Sequence, residues 1–122
     1  MLQIIEILGK GRGVISTEAI SQDSEIARYE LLILNEMTEQ LRLYSYPYPF
    51  DLNGFFEDDS GRFCLALGEA TLLNTSADPN VQWEITPEFL IIRAKKAIKA
   101  GKELTISYGF SKEEIDQKGW IT

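Results

Sequence analysis

Short stretches rich in β-branched and aromatic residues follow one another along this chain, each closed by a cluster of Gly, Pro, Asn or Asp. That punctuation allows small sheets with brief helices between them, and no strand–helix–strand unit of a parallel nucleotide-binding fold is among them. Residues 2–7 (LQIIEI) alternate and run into a glycine-rich turn at Gly9-Lys10-Gly11-Arg12-Gly13, after which Val14 to Thr17 reads as the return strand. Glu25 to Leu34 reads as a longer strand. From Asn35 the period changes: Met37, Leu41 and Tyr44 share a face at helical spacing, with Asn35 or Thr38 as cap and Pro47 and Pro49 as the stop.

Two hairpins follow. Phe55-Phe56 and Arg62 to Leu67 flank the turn composition Asp58-Asp59-Ser60-Gly61, and Val81 to Ile85 and Phe89 to Ala94 flank Thr86-Pro87-Glu88. A turn at Ala100-Gly101-Lys102 delivers a strand from Glu103 to Tyr108. Ser111 with Glu114 three residues later forms a capping box, so a short helix is expected to start there. No repeat or linker divides the 122 residues, and a hydrophobic fraction of 44% suffices to close one core.

Composition then narrows the chemistry. The chain has no histidine, which excludes a Ser-His-Asp triad, a Cys-His pair, a histidine-bearing zinc site and imidazole acid–base work. Its one cysteine, Cys64, excludes an internal disulfide and a multi-cysteine metal centre, so no metal is expected. A formal charge of −7 disfavours direct nucleic-acid binding and suits a basic peptide partner. The cluster Arg93, Lys95, Lys96, Lys99 and Lys102 reads as the solvated end of a strand and its turn.

The opening MLQIIEILGKGRG is too short for a membrane span and lacks the basic start of a signal peptide. A soluble, intracellular protein is expected, cytoplasmic or chromatin-associated. Without export, the formal sequon Asn74-Thr75-Ser76 is not expected to carry sugar.

Three motifs carry chemistry together: GKGRGV at 9–14, LLNTSADPN at 72–80 and KELTISYG at 102–109. In this order and at these separations the chain resembles the SET-domain family, and the likeness extends over nearly its whole length. It is most similar to the minimal, free-standing viral and bacterial members, which lack cysteine-rich flanking zinc modules. The resemblance implies a single domain over 1–122, mainly β with short helices: a β-clip-like fold of several small sheets with a knot-like C-terminal segment. It implies a protein-lysine N-methyltransferase that uses S-adenosylmethionine on a basic protein or peptide such as a histone-like tail. A homodimer is also expected, as in the minimal viral relatives.

Residue by residue, the resemblance gives Gly11, Arg12 and Gly13 the family's Gly-x-Gly, where absent side chains let the backbone approach the cofactor. Asn74 and Thr75 match the family's Asn-His, with Thr75 in the place of His; the cofactor's amino group and adenine edge are held there. Tyr108 matches the catalytic tyrosine, Tyr44 and Tyr46 the aromatic wall of the lysine channel, with Tyr48 a weaker third. Phe110 or Trp120 would cover the adenine. Two other readings stay open at this point. One is a SET-fold binding module weakened in catalysis by Thr75; the other is a β-rich adaptor binding peptides through YSYPYPF.

Overall fold

The computed structural model describes residues 1–34, 55–57, 63–107, 111–117 and 119. Nine strands within them form two sheets. The first has the order β1 (Leu2–Ile7), β2 (Gly11–Ser16), β9 (Glu103–Ile106), β6 (Asn74–Thr75). The second has the order β4 (Phe55–Glu57), β5 (Phe63–Ala66), β3 (Glu25–Leu34), β8 (Phe89–Ala94), β7 (Val81–Ile85). A 3₁₀ turn, η1 (Glu69–Leu72), leads into β6, and helix α1 (Lys112–Gln117) lies near the C-terminus. No helix among the described residues is long and apolar enough to cross a membrane.

The sequence boundaries hold at β1, β3, β7 and β8, and the two expected hairpins pair as expected, Phe56 opposite Cys64 and Trp83 opposite Ile92. Strand β3 is long because it serves two partners. Its first half, from Glu25 to Glu30, pairs with β8, and its second half, from Leu31 to Leu34, pairs with β5. The capping box is present: Glu114 N donates to Ser111 Oγ at 3.2 Å and Ser111 N to Glu114 Oε1 at 3.1 Å. The expected helix after Asn35 lies outside the described residues.

One expectation is corrected. The turn between β1 and β2 occupies residues 8–10, so Gly11-Arg12-Gly13 is not part of it but forms the first three residues of β2. Gly11 has φ +83°, a left-handed value that only glycine adopts cheaply, whereas Gly13 is ordinary strand opposite Ile5. Gly13 is small for a different reason, set out below.

The core is built from Val14, Tyr29, Ala66, Leu73, Val81, Leu90, Ile92, Ala94, Ile98, Leu104 and Ile106. Strand β8 buries Leu90, Ile91 and Ile92 in succession, so it is covered on both faces and reads as a continuous apolar run rather than an alternation. Strand β9 is covered in the same way, with Leu104, Thr105 and Ile106 all buried. A polar Thr105 inside that run needs partners, and the Asp78-Pro79-Asn80 loop supplies them.

Asn80, 5% exposed, lays its amide along β9 as a strand residue would. Thr105 N donates to Asn80 Oδ1 at 2.8 Å, Asn80 Nδ2 donates to the Glu103 carbonyl at 2.8 Å, and Asn80 N donates to Thr105 Oγ1 at 3.3 Å. The sequence shows this loop as a turn; the structure shows that its asparagine also completes the ladder of β9. Asn80→Ala would orphan two backbone groups of β9 and is expected to cost about 2–6 kcal/mol in urea unfolding, from about 1–3 kcal/mol for each unsatisfied buried group. A loss below about 0.5 kcal/mol, the size of an ordinary surface substitution, would show that water replaces the amide.

Candidate functional site

Strand β9 is where the three motifs meet. On one side β2 pairs with it antiparallel, Val14 opposite Leu104 and Ile15 opposite Glu103. On the other, β6 pairs parallel, Asn74 opposite Thr105 and Thr75 opposite Ile106, and Ser76 N extends the ladder to the Ile106 carbonyl at 3.3 Å. A single strand therefore carries the Gly-x-Gly segment on one edge and the Asn-Thr-Ser segment on the other.

Side chains draw these segments closer. Asn74 Nδ2 donates to the Arg12 carbonyl at 2.9 Å and to Glu103 Oε2 at 2.7 Å. Lys10 Nζ donates to Glu103 Oε1 at 2.7 Å, and this ion pair is largely covered, with side-chain exposures of 10% for Lys10 and 16% for Glu103. Gly13 lies against the same group. A Cβ built on it would stand 2.7 Å from Glu103 Oε2 and 3.0 Å from Asn74 Nδ2, and would collide with Ile7 Cδ1. Close approach, not turn geometry, therefore requires glycine there.

Of the residues expected at the site, the structure brings Arg12, Gly13 and Asn74 into one cluster, with Gly11 two residues away on the same strand. Thr75 is buried, 6% exposed, and follows Asn74 in the parallel pairing. Tyr44, Tyr46, Tyr48, Tyr108, Phe110 and Trp120 lie outside the described residues. Sequence reasoning missed Lys10 and Glu103, whose partners are 93 residues apart. The one available signal is that both lie inside the motifs, Lys10 in GKGRGV and Glu103 in KELTISYG.

Tyr29 on β3 was read only as part of a strand. Its ring packs against Gly68, where a Cβ would stand 2.8 Å from Tyr29 Cδ1, and its hydroxyl is hydrogen-bonded to Glu69 at the start of η1. Burial first, then the charge of Glu69 and that hydrogen bond, raise the phenol above its ordinary value of 10.0. Folding therefore favours the protonated form, so this group's contribution to stability is complete below pH 10 and is lost as pH rises through the higher folded value. The melting temperature is expected to fall above pH 10 more steeply in the parent than in Tyr29→Phe. Parallel curves for the two would show that Tyr29 does not titrate in the way its surroundings require.

The basic cluster is engaged at the surface. Lys96 pairs with Asp78 at 2.8 Å, which holds that carboxyl below its usual range, and Arg93 pairs with Glu84 at 3.1 Å. Arg28 pairs with Glu25 at 2.8 Å and stacks over the Phe89 ring at 5.3 Å.

A family model described as the SET domain matches residues 11–109. The chain is 27% identical over 137 aligned residues to a histone-lysine N-methyltransferase, Set8, of Drosophila melanogaster, and 26% identical to the protein of the same name from Drosophila pseudoobscura pseudoobscura. Each alignment takes in 98% of this chain and 19% of the relative, so the chain spans about a fifth of the length of the curated proteins it matches. Among solved structures it resembles one from Plasmodium falciparum, described as a histone methyltransferase, with a TM-score of 0.69 and 23% identity over 91% of this chain and 99% of that one. It also resembles CpSET8 from Cryptosporidium, with a TM-score of 0.65 and 21% identity over 90% of this chain and 58% of the other. The fold is shared at these identities: several small sheets, mainly β, as the sequence pattern led us to expect.

Proposed function

Because this chain belongs to the SET-domain family, we propose that it is a protein-lysine N-methyltransferase that uses S-adenosylmethionine and acts on a basic protein or peptide such as a histone-like tail. The observation that carries this reading is the hydrogen bond from Asn74 to the Arg12 carbonyl, which joins two motifs 62 residues apart beside β9. The residues present fit the cofactor's amino-acid end. Gly13, with no side chain, lets Ile7, Glu103 and Asn74 close against the Gly-x-Gly segment, and Asn74, its amide nitrogen held by the Arg12 carbonyl and Glu103, would turn Oδ1 toward the cofactor's amino group.

S-adenosylmethionine, when bound, supplies an electrophilic methyl group on a sulfonium. The chain must then deliver a neutral amine, although a free lysine has a pKa of about 10.4. Under this reading an apolar channel walled by Tyr44 and Tyr46 desolvates the lysine and lowers that value, so no histidine is needed as base. The Tyr108 hydroxyl orients the amine, and Phe110 covers the adenine side. The negative net charge, −7, suits a basic substrate segment. A second copy of the chain is the further partner we propose.

Titration with S-adenosylmethionine followed by radiolabelled methyl transfer to a pool of basic proteins tests this. Binding with transfer to lysine is the expected result. Binding without transfer would favour the weakened binding module that Thr75 suggests, and no binding would favour the peptide adaptor.

A further inference from the structure

We propose that Glu103 is a positioning residue for the cofactor site, and that it acts by deciding which end of the Asn74 amide faces the ligand; the inference rests on the reading of the site given above. An asparagine amide presents an acceptor at one end and two donors at the other, and the two orientations have almost the same shape. Neighbours must choose between them. Here both neighbours of the nitrogen are pure acceptors, the Arg12 carbonyl at 2.9 Å and Glu103 Oε2 at 2.7 Å, so the two N–H groups are committed to them. Oδ1 then faces the opposite way, the orientation that accepts a hydrogen bond from a cationic amino group.

The carboxylate is itself held in place. Lys10 Nζ donates to Oε1 at 2.7 Å in a largely covered pair, and Gly13 leaves the space in which Oε2 and the Asn74 amide meet. Glu103 also offers its carbonyl to Asn80, so its backbone is fixed from the far side. The chain Lys10–Glu103–Asn74 thus carries orientation from the β1–β2 turn to the residue proposed to touch the cofactor. A role confined to scaffolding would rest on the Lys10 ion pair alone, and this distinction can be tested.

Glu103→Gln keeps an acceptor for Asn74 and loses the charge; Glu103→Lys puts a donor where the amide needs an acceptor. Lys10→Glu/Glu103→Lys restores the ion pair with its signs exchanged but still confronts Asn74 with a donor. By calorimetric titration with S-adenosylmethionine, Glu103→Gln is expected to bind within about threefold of the parent and Glu103→Lys at least about tenfold more weakly, a difference of about 1.4 kcal/mol. The exchanged pair is expected to regain most of the melting temperature lost in Glu103→Lys while its affinity stays low. Should Glu103→Lys fail to fold, the exchanged pair and Glu103→Gln carry the comparison. Parental affinity in Glu103→Lys, or affinity and melting temperature restored together in the exchanged pair, would reduce Glu103 to a scaffold and overturn the inference while leaving the proposed function standing. A parent protein that does not bind S-adenosylmethionine would overturn both.

Discussion

Gly13→Val is expected to lower affinity for S-adenosylmethionine by at least about 100-fold, equivalent to about 2.7 kcal/mol, while a cooperative thermal transition remains. Gly13 sits in ordinary strand conformation, so the valine backbone itself is unstrained. The damage is steric. The first side-chain carbon meets Ile7 Cδ1, stands 2.7 Å from Glu103 Oε2 and 3.0 Å from Asn74 Nδ2, and the branches of valine add bulk to the same crowded space. Ile7 and Glu103 are side-chain obstacles that can move, which places the folding cost in the range of overpacking, about 1–3 kcal/mol. Their movement is what dismantles the site, because Glu103 cannot shift without releasing Asn74 and Lys10. A Gly13→Val protein that binds S-adenosylmethionine like the parent would remove the Gly-x-Gly segment from the cofactor site.

Tyr108→Phe is expected to lower turnover by about 100- to 1,000-fold, or about 3–4 kcal/mol, the cost of deleting one preorganised hydrogen-bonding group from a transition state. The substitution removes a hydroxyl and keeps the ring. If that hydroxyl orients the amine during transfer, its loss acts on kcat and leaves ground-state affinity for S-adenosylmethionine within about threefold, or under about 0.7 kcal/mol. Single-turnover methylation of a basic peptide beside a calorimetric titration separates the two quantities. Parental turnover would dismiss Tyr108 as the catalytic tyrosine, and a parallel loss of affinity and turnover would move it into the cofactor pocket.

Much of the fold is legible from residue pattern because each strand is bounded by local chemistry. The limits of β3, Glu25–Leu34, and of β7 and β8 around Thr86-Pro87-Glu88 follow from turn residues and β-branched runs. Strand β6 is different: two residues, Asn74–Thr75, carry no period, and its parallel partner lies about thirty residues on, so local pattern contains no trace of the pairing. The Gly-x-Gly reads as a turn in sequence and lies in strand β2 in the structure. Glycine in sequence looks the same whether it serves a left-handed φ, as at Gly11, or a crowded strand, as at Gly13, and only neighbours from β1, β6 and β9 distinguish them. Asn74 is a candidate by resemblance, while Glu103, which accepts its hydrogen bond, and Lys10, which pairs with Glu103, carry no such signal. Their roles exist only once residues 93 positions apart have come together. The expected tyrosines, Tyr44, Tyr46 and Tyr108, rest on resemblance.

The position of β9 between β2 and β6 gives the site a place in time. The hydrogen bonds that define it span long loops, with separations from 29 positions for Asn74 and Glu103 to 93 for Lys10 and Glu103. Closing such loops costs chain entropy before any contact repays it. A nascent chain that has emerged as far as Ile98 already carries the Gly-x-Gly and Asn-Thr-Ser segments and both strands of the β7–β8 hairpin, yet it lacks the strand that brings the two motifs together. Under the proposed function, competence to hold S-adenosylmethionine would thus arrive only with β9. S-adenosylmethionine, bound as proposed, would in turn clasp the segments on either side of β9 together, stabilising the folded state by about 2.7 kcal/mol at a hundred times its dissociation constant.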